Sequence, residues 1–188
     1  MSRSDHDSVR IVPWSTDDLP VLERSNTPEM TRFLGGPETD EKVVERHARY
    51  LRLWESGEAR MFTIAADGVP EPVGIVGYWT TTWHDLHVYE SGWNVLAGYQ
   101  GRGFASRALS ACLAYAADNG DRDVLVAFPR VDNAASNALC RTLGFELQGV
   151  EDFEYPPGNP IQVNAWRFDL RALRERRRSV AETAPLSD

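Results

Sequence analysis

The run Trp93-Asn94-Val95-Leu96-Ala97-Gly98-Tyr99-Gln100-Gly101-Arg102-Gly103-Phe104-Ala105-Ser106 has residue types and spacing that suit a reaction. An apolar strand ends in it, a glycine-containing turn follows, and an Ala- and Leu-rich helix begins. Backbone N–H groups in such a turn point inward, and the helix N-terminus adds partial positive charge, so the junction suits a phosphate. Glycine lets the backbone approach a ligand where a side chain would block it. Three phosphate loops compete for this run. A Walker loop needs Gly-x-x-x-x-Gly-Lys-Ser/Thr, and the Lys is missing. In a dinucleotide fingerprint Gly101 and Gly103 fit the start, but Ser106 stands where the third Gly is required, and the first strand–helix unit lies in the wrong place. The third pattern, Gln-x-x-Gly-x-Ala, is met by Gln100, Gly103 and Ala105. The plain alternative is that Gly101 and Gly103 only serve a tight turn.

A second block follows at the right distance: Asn133-Ala134-Ala135-Ser136, with Leu143-Gly144-Phe145 after it. In this order and spacing the two blocks resemble the GNAT superfamily of acyl-CoA-dependent N-acyltransferases. That family carries Gln/Arg-x-x-Gly-x-Gly/Ala at a strand–helix junction and a later Asn-x-x-Ser/Ala helix ending in Gly-Phe. The resemblance runs from about Val9 to Leu170. The segment Tyr89-Glu90-Ser91-Gly92-Trp93 is most similar to the branch of ribosomal-protein N-terminal acetyltransferases and related small-molecule enzymes.

The resemblance implies an α/β (α+β) fold. Its mixed, mostly antiparallel central sheet would have six to seven strands, splayed at the strand 4/strand 5 junction and flanked by about four helices. It implies acetyl-CoA as co-substrate, with no metal, and direct acetyl transfer to a primary amine on a small molecule or a peptide or protein N-terminus. Backbone groups around Asn94, Val95 and Leu96 would pair with the pantetheine and polarise the thioester. Gln100, Gly101, Arg102, Gly103, Phe104 and Ala105, with Ser106, would hold the pyrophosphate, and Asn133 would bind the cofactor through its amide. Homodimers are common in such a family.

Amide formation of this kind needs a base for the ammonium and an acid for the departing thiolate. In many relatives a Tyr seven residues after the Asn is the acid; Cys140 stands there in this chain. A thiol with a pKa near ~8.5 can donate to a thiolate, and a small buried apolar residue is the competing reading. Ser136 lies one helical turn before Cys140, so both are expected on one face. The missing Tyr also motivates a rival reading, a non-catalytic acyl-CoA-binding regulatory module of the same fold. Glu90 is the candidate base, since a carboxylate inside an apolar strand is costly unless used or paired. Period two puts Glu90, Gly92 and Asn94 on one face. The alternative for Glu90 is an ion pair with an Arg. His84 and His87 flank the strand entrance without a Cys/Asp/Glu set at ligand spacing, so no metal is expected, and His87 is the reserve base on the substrate side. Among Trp54, Tyr78, Trp79, Trp83, Trp93 and Tyr155, Trp83 is the residue expected to line the acceptor cleft, although aromatics at these spacings are more often core.

The elements that must position these groups can be read from patterning. Val9–Pro13 suits a first strand, and Thr16 with Asp17-Asp18 starts a helix that Asn26-Thr27-Pro28 breaks. Thr39 can cap a longer helix to Ser56, stopped by Gly57, with Val43, Val44, His47, Tyr50, Leu51 and Trp54 at helical spacing. Strands are expected over Met61–Ala66, Val73–Trp79 and His87–Val95, with Thr80–Leu86 as a connection. Phe104–Asn119 reads as a helix closed by Gly120 at C′, Val124–Phe128 as a buried strand, and Asn133–Leu143 as a helix closed by Gly144. Phe145–Phe153 and Val163–Leu170 complete the strands.

With 188 residues the chain suits one core. The expected division is a flexible lead over 1–8, one acyltransferase domain over 9–170, and a basic then disordered tail over 171–188. A net charge of −8 argues against a nucleic-acid partner and suits a cationic amine, though it would also serve solubility alone. The tail arginines read as a solvated helix end. No apolar stretch reaches the length of a membrane span, the N-terminus is too polar for a secretory signal, and two cysteines make no disulfide framework. A cytoplasmic location is therefore expected.

Overall fold

A computed structural model describes residues 8–183. Strand β1 (Val9–Pro13) leads through a 3₁₀ turn at Thr16–Asp18 into helix α1 (Leu19–Ser25), and α2 spans Asp40–Ser56. Ser15 and Asp18 form a reciprocal capping box at the first turn, and Thr39 caps α2 by accepting from the Lys42 N–H. Helix α2 stops where Gly57 takes φ 83°, a conformation glycine adopts without penalty. Its inward stripe runs through buried Val43 and half-buried Tyr50, Leu51 and Trp54; Val44, expected on that stripe, is exposed.

Strands β2 (Ala59–Ala66), β3 (Gly74–Trp83) and β4 (Leu86–Val95) form an antiparallel meander. The connection expected over Thr80–Leu86 is mostly strand: Thr80 to Trp83 pair with Tyr89 to Leu86, leaving only His84 and Asp85 as the turn. Both adopt positive φ, 46° and 62°, as a tight hairpin requires. Thr and Trp side chains favour the pleated surface, so pairing extends over residues whose polarity resembles a loop.

Helix α3 (Phe104–Asn119) crosses to β5 (Val124–Ala127), followed by α4 (Ala134–Thr142), β6 (Glu146–Glu154), β7 (Pro160–Asp169) and α5 (Leu170–Thr183). The sheet has seven strands in the order β1-β2-β3-β4-β5-β7-β6, with β4 and β5 parallel and the other neighbours antiparallel. Helices α1 and α2 cover one face around Trp14, Val21, Leu22 and Met61. On the other face α3 and α4 bury Phe104, Leu109, Cys112 and Cys140 against Phe62, Val76 and Leu125.

Two expectations about chain ends are corrected. Gly120 has φ −99°, not a left-handed C′ conformation; its bare Cα is needed because a Cβ there would sit 2.8 Å from the Tyr89 ring. Residues 179–183, expected to begin a disordered tail, continue helix α5, which raises the α-helices to five among the described residues. Asp169 caps it at the Ala172 N–H. Arg174 donates to the carbonyls of Ala117 and Arg122 and pairs with Asp123, while Arg177 pairs with Asp118. These cations lie at the C-terminal end of α3, where exposed carbonyls favour them. Residues 1–7 of the expected lead and 184–188 of the expected tail lie outside the described residues. Among the described residues no helix is long and apolar enough to cross a membrane.

Candidate active site

Strands β4 and β5 pair only at Tyr89–Leu125 and Glu90–Val126, and part beyond them. Backbone parity shows which groups line the gap. The Thr80 N–H bonds to the Glu58 carbonyl on the β2 side, so even residues of β3 turn to β2 and odd ones to β4. Their partners Glu90, Gly92 and Asn94 are thereby committed to β3. The N–H and C=O groups of Ser91, Trp93 and Val95 point instead toward β5. Of the backbone expected to face a pantetheine, Val95 is on the gap side. Asn94 is not: it pairs with Ile75, and its side chain meets Ser25 3.4 Å away. Leu96 is not either, because its N–H donates to the Val73 carbonyl at 2.9 Å.

The turn after β4 is tied down from within. Gln100 Nε2 donates to the Val95 carbonyl at 2.8 Å, so this side chain holds the loop against the strand end rather than reaching outward. Gly101 and Gly103 have φ of 75° and 76°. A Cβ at Gly101 would meet nothing within 4 Å, so handedness rather than room is what demands glycine there. Gly103 precedes α3 with no side-chain cap, and the first intrahelical bond is Arg107 N–H to the Gly103 carbonyl. The amides of Phe104, Ala105 and Ser106 therefore head the helix together, a ready anion site. Phe104 itself is core. The guanidinium groups of Arg102 and Arg107 lie over its ring at 4.7 and 5.4 Å, adding positive charge beside the amides. Sequence reasoning missed Arg107, although its spacing of one turn after Gly103 was the available signal.

Where β4 and β5 diverge, a cleft of about 270 Å³ opens, lined among others by Trp79, Glu90, Trp93, Phe128, Asn133 and Ser136. Glu90 and Ser136, distant in sequence, thus share one cavity. Burial raises the Glu90 pKa above the ordinary carboxylate range, and the Trp79 side chain, hydrogen-bonded to it, partly offsets that rise. Trp79 is the cross-strand partner of Glu90. Its ring lies over Gly92, where an added Cβ would come within 3.1 Å of it.

Asn133 caps α4 by accepting from the Ser136 N–H at 3.2 Å, which fixes both residues at the cleft edge. Behind them lies a group the sequence reading passed over. Asn137 is buried and donates to the carbonyls of Arg130 and Asn133, while its Oδ1 accepts from Asn164 Nδ2 and Trp166 Nε1 at 2.7 and 2.8 Å. An Asn inside a short helix, where its propensity is poor, was the signal.

Three expected site residues stand elsewhere. Cys140 is fully buried in the core, and burial pushes its thiol up to about 12. It shares the Ser136 side of α4 but one turn deeper, so the small buried residue is the reading the packing supports. His87 lines a separate polar groove with Thr80, Asp121 and Arg122, away from Glu90. Trp83 stands behind the cleft: its indole donates to Glu151 at 3.0 Å and packs 6.3 Å from Phe128, which does line it. Of the other aromatics weighed for the acceptor cleft, Trp79, Trp93 and Tyr155 line the cavity, while Tyr78 belongs to the core. Among the described residues no group of three or more His, Cys, Asp or Glu could hold a metal ion.

A sheet parted beside an uncapped helix N-terminus is the arrangement the resemblance implies, and family comparison decides the matter. The model of the acetyltransferase (GNAT) domain matches residues 8–146. The chain belongs to this family. It is an acetyl-CoA-dependent acyltransferase of the GNAT fold. A curated relative, the uncharacterized N-acetyltransferase YoaA of Bacillus subtilis (strain 168), is 24% identical over 141 residues, covering 73% of this chain and 79% of that protein. Among solved structures, RimL, a ribosomal L7/L12 alpha-N-protein acetyltransferase in complex with coenzyme A, superposes with a TM-score of 0.72 at 22% identity, over 86% of this GNAT chain and 94% of that one. The microcin C7 self-immunity acetyltransferase MccE, in complex with acetyl-CoA and AMP, also has a TM-score of 0.72, at 18% identity over 88% and 93% of the two chains.

Proposed function

We propose that this GNAT domain moves an acetyl group from acetyl-CoA directly to a primary amine. The observation that supports this reading most is the cleft beside the parted strands, which Glu90 and Ser136 both line. Glu90 takes the proton of the incoming ammonium, directly or through water. Burial raises its pKa, which makes it a stronger proton acceptor than an exposed carboxylate. The freed amine attacks the thioester carbonyl, whose oxygen the gap-facing N–H groups of β4 polarise. As the carbon–sulfur bond breaks, the Ser136 hydroxyl passes its proton to the departing thiolate and regains one, directly or through water, from the former amine nitrogen, which loses its second proton as the amide forms. The amides at the head of α3, with Arg102 and Arg107, hold the pyrophosphate, and Asn133 stands beside the pantetheine. Cys140 has no part in proton transfer. Both described cysteines are free, which suits a reducing, cytoplasmic setting.

The test is paired. Acetyl-CoA at saturation should raise the Tm by several degrees, following the linkage of binding to stability. Thiol release should then depend on an added amine and fall in Glu90→Gln. No rise in Tm would sink the cofactor site. An unaltered rate in both Glu90→Gln and Ser136→Ala would sink the assignment of base and acid.

A further inference from the structure

The amine half of the cleft has a composition that selects among acceptors. Its walls include Phe33 and Leu34 from the α1–α2 connection, Trp79 from β3, and Phe153, Tyr155 and Ile161 from the β6–β7 hairpin. Leu34 and Tyr155 remain 45% and 44% exposed, so the rim as well as the interior is apolar. Among the described lining residues Glu90 is the one carboxylate, and Arg130 the one cation. The neighbouring carboxylates are already engaged. Glu151 accepts from Trp83 and meets His84 Nε2 at 2.9 Å, Asp132 pairs with Arg130 at 2.9 Å, and Glu38 pairs with Arg46. A second ammonium entering here would lose its water and find no unengaged carboxylate, Arg130 already being neutralised by Asp132. An apolar group would instead cover the ring of Trp79 and the rim residues.

We propose that the acceptor carries a single primary amine beside an apolar, preferably aromatic, group, seated against Trp79, Phe33 and Tyr155. Polyamines and aminoglycosides are thereby disfavoured. The inference rests on the acetyl-transfer reading above and adds the substrate class to it. The shared chemistry has two sources, a free arylalkylamine or a peptide whose first residue is aromatic.

Thiol release from acetyl-CoA, measured with the full chain, separates these cases. The acceptors are 2-phenylethylamine, a short peptide beginning with Phe, the same peptide beginning with Gly, spermidine and kanamycin. The expected result is a kcat/KM at least about tenfold higher for phenylethylamine or the Phe peptide than for spermidine and kanamycin, the scale on which apolar pockets discriminate. The better of the first two tells a free amine from a peptide terminus. In Tyr155→Ala, an exposed substitution, kcat/KM for the aromatic acceptor should fall several-fold while the Tm rise with acetyl-CoA stays as in the parent. A preference for spermidine or kanamycin, equal use of the Phe and Gly peptides, or an unaltered Tyr155→Ala overturns the proposal. If acetyl-CoA raises the Tm but no amine is turned over, the transfer reading falls and takes this one with it.

Discussion

The proposed cofactor half of the cleft comes mainly from one run of chain, Trp93 to Arg107, with Asn133 from the edge of α4, while the proposed amine half draws on the α1–α2 connection, β3, β4 and the β6–β7 hairpin. The first half works mainly through backbone: the gap-facing groups of β4, two left-handed glycines and the leading amides of α3. The second works through side chains, a half-buried carboxylate among aromatic rings. A backbone site depends on local conformation and tolerates many side chains. A side-chain site depends on the packing of distant elements and changes with single substitutions.

Four substitutions test that contrast, in descending order of expected effect. Glu90→Gln should lower kcat/KM by roughly 10²–10⁴, the usual contribution of a general base, with the acetyl-CoA-induced Tm shift intact. The same variant tests pH linkage. Because the folded pKa of Glu90 lies above its unfolded value, the folded state binds more protons between the two, and stability falls as pH rises through that window. Denaturant titrations should show that fall in the parent and not in Glu90→Gln. An identical pH dependence would mean Glu90 is not buried as described.

Asn137→Ala comes next. It strips partners from Asn164, Trp166 and the Arg130 carbonyl, and should destabilise the fold by about 2–4 kcal/mol, at the cost of unsatisfied buried groups. Urea unfolding reads this, and a loss under about 0.5 kcal/mol would remove Asn137 as the anchor of the α4 edge. Gly103→Val should weaken acetyl-CoA binding about tenfold, since a β-branched residue at φ 76° costs on the order of 1–2 kcal/mol. Calorimetric titration checks it, and KM for the amine should hold still if the two halves are separable. Smallest of all, Cys140→Ala should leave kcat within about threefold and lower stability by roughly 1 kcal/mol for the lost sulfur packing. A drop of orders of magnitude in kcat would restore the thiol as proton donor.

Much of the fold was legible because its signals are local. Helix α2 begins and ends where Thr39 and Gly57 place it, and α3 spans the residues its Ala- and Leu-rich pattern marks. The errors have physical causes. Thr80 to Trp83 look like a loop by polarity but pair as strand because β3 and β4 continue past the core. Arg174 and Arg177 look like solvated tail residues, but α3 ends beside them and supplies carbonyls and carboxylates. Gln100 fits the motif, yet the residue that its amide contacts, Val95, is identified only by the closed turn.

Sequence by itself determined the junction over Trp93 to Arg107: the order strand, glycine turn, helix is contiguous, and residue types dictate its backbone conformations. It also singled out Glu90 and Ser136 as groups needing an explanation. Tertiary structure alone decided that these two face one cavity, that Cys140 and His87 do not, and that Trp79 rather than Trp83 stands beside the carboxylate. The reason is that burial and facing depend on strand register and on how far neighbouring strands stay paired. In this chain β5 leaves β4 after Glu90, and that parting opens the cleft.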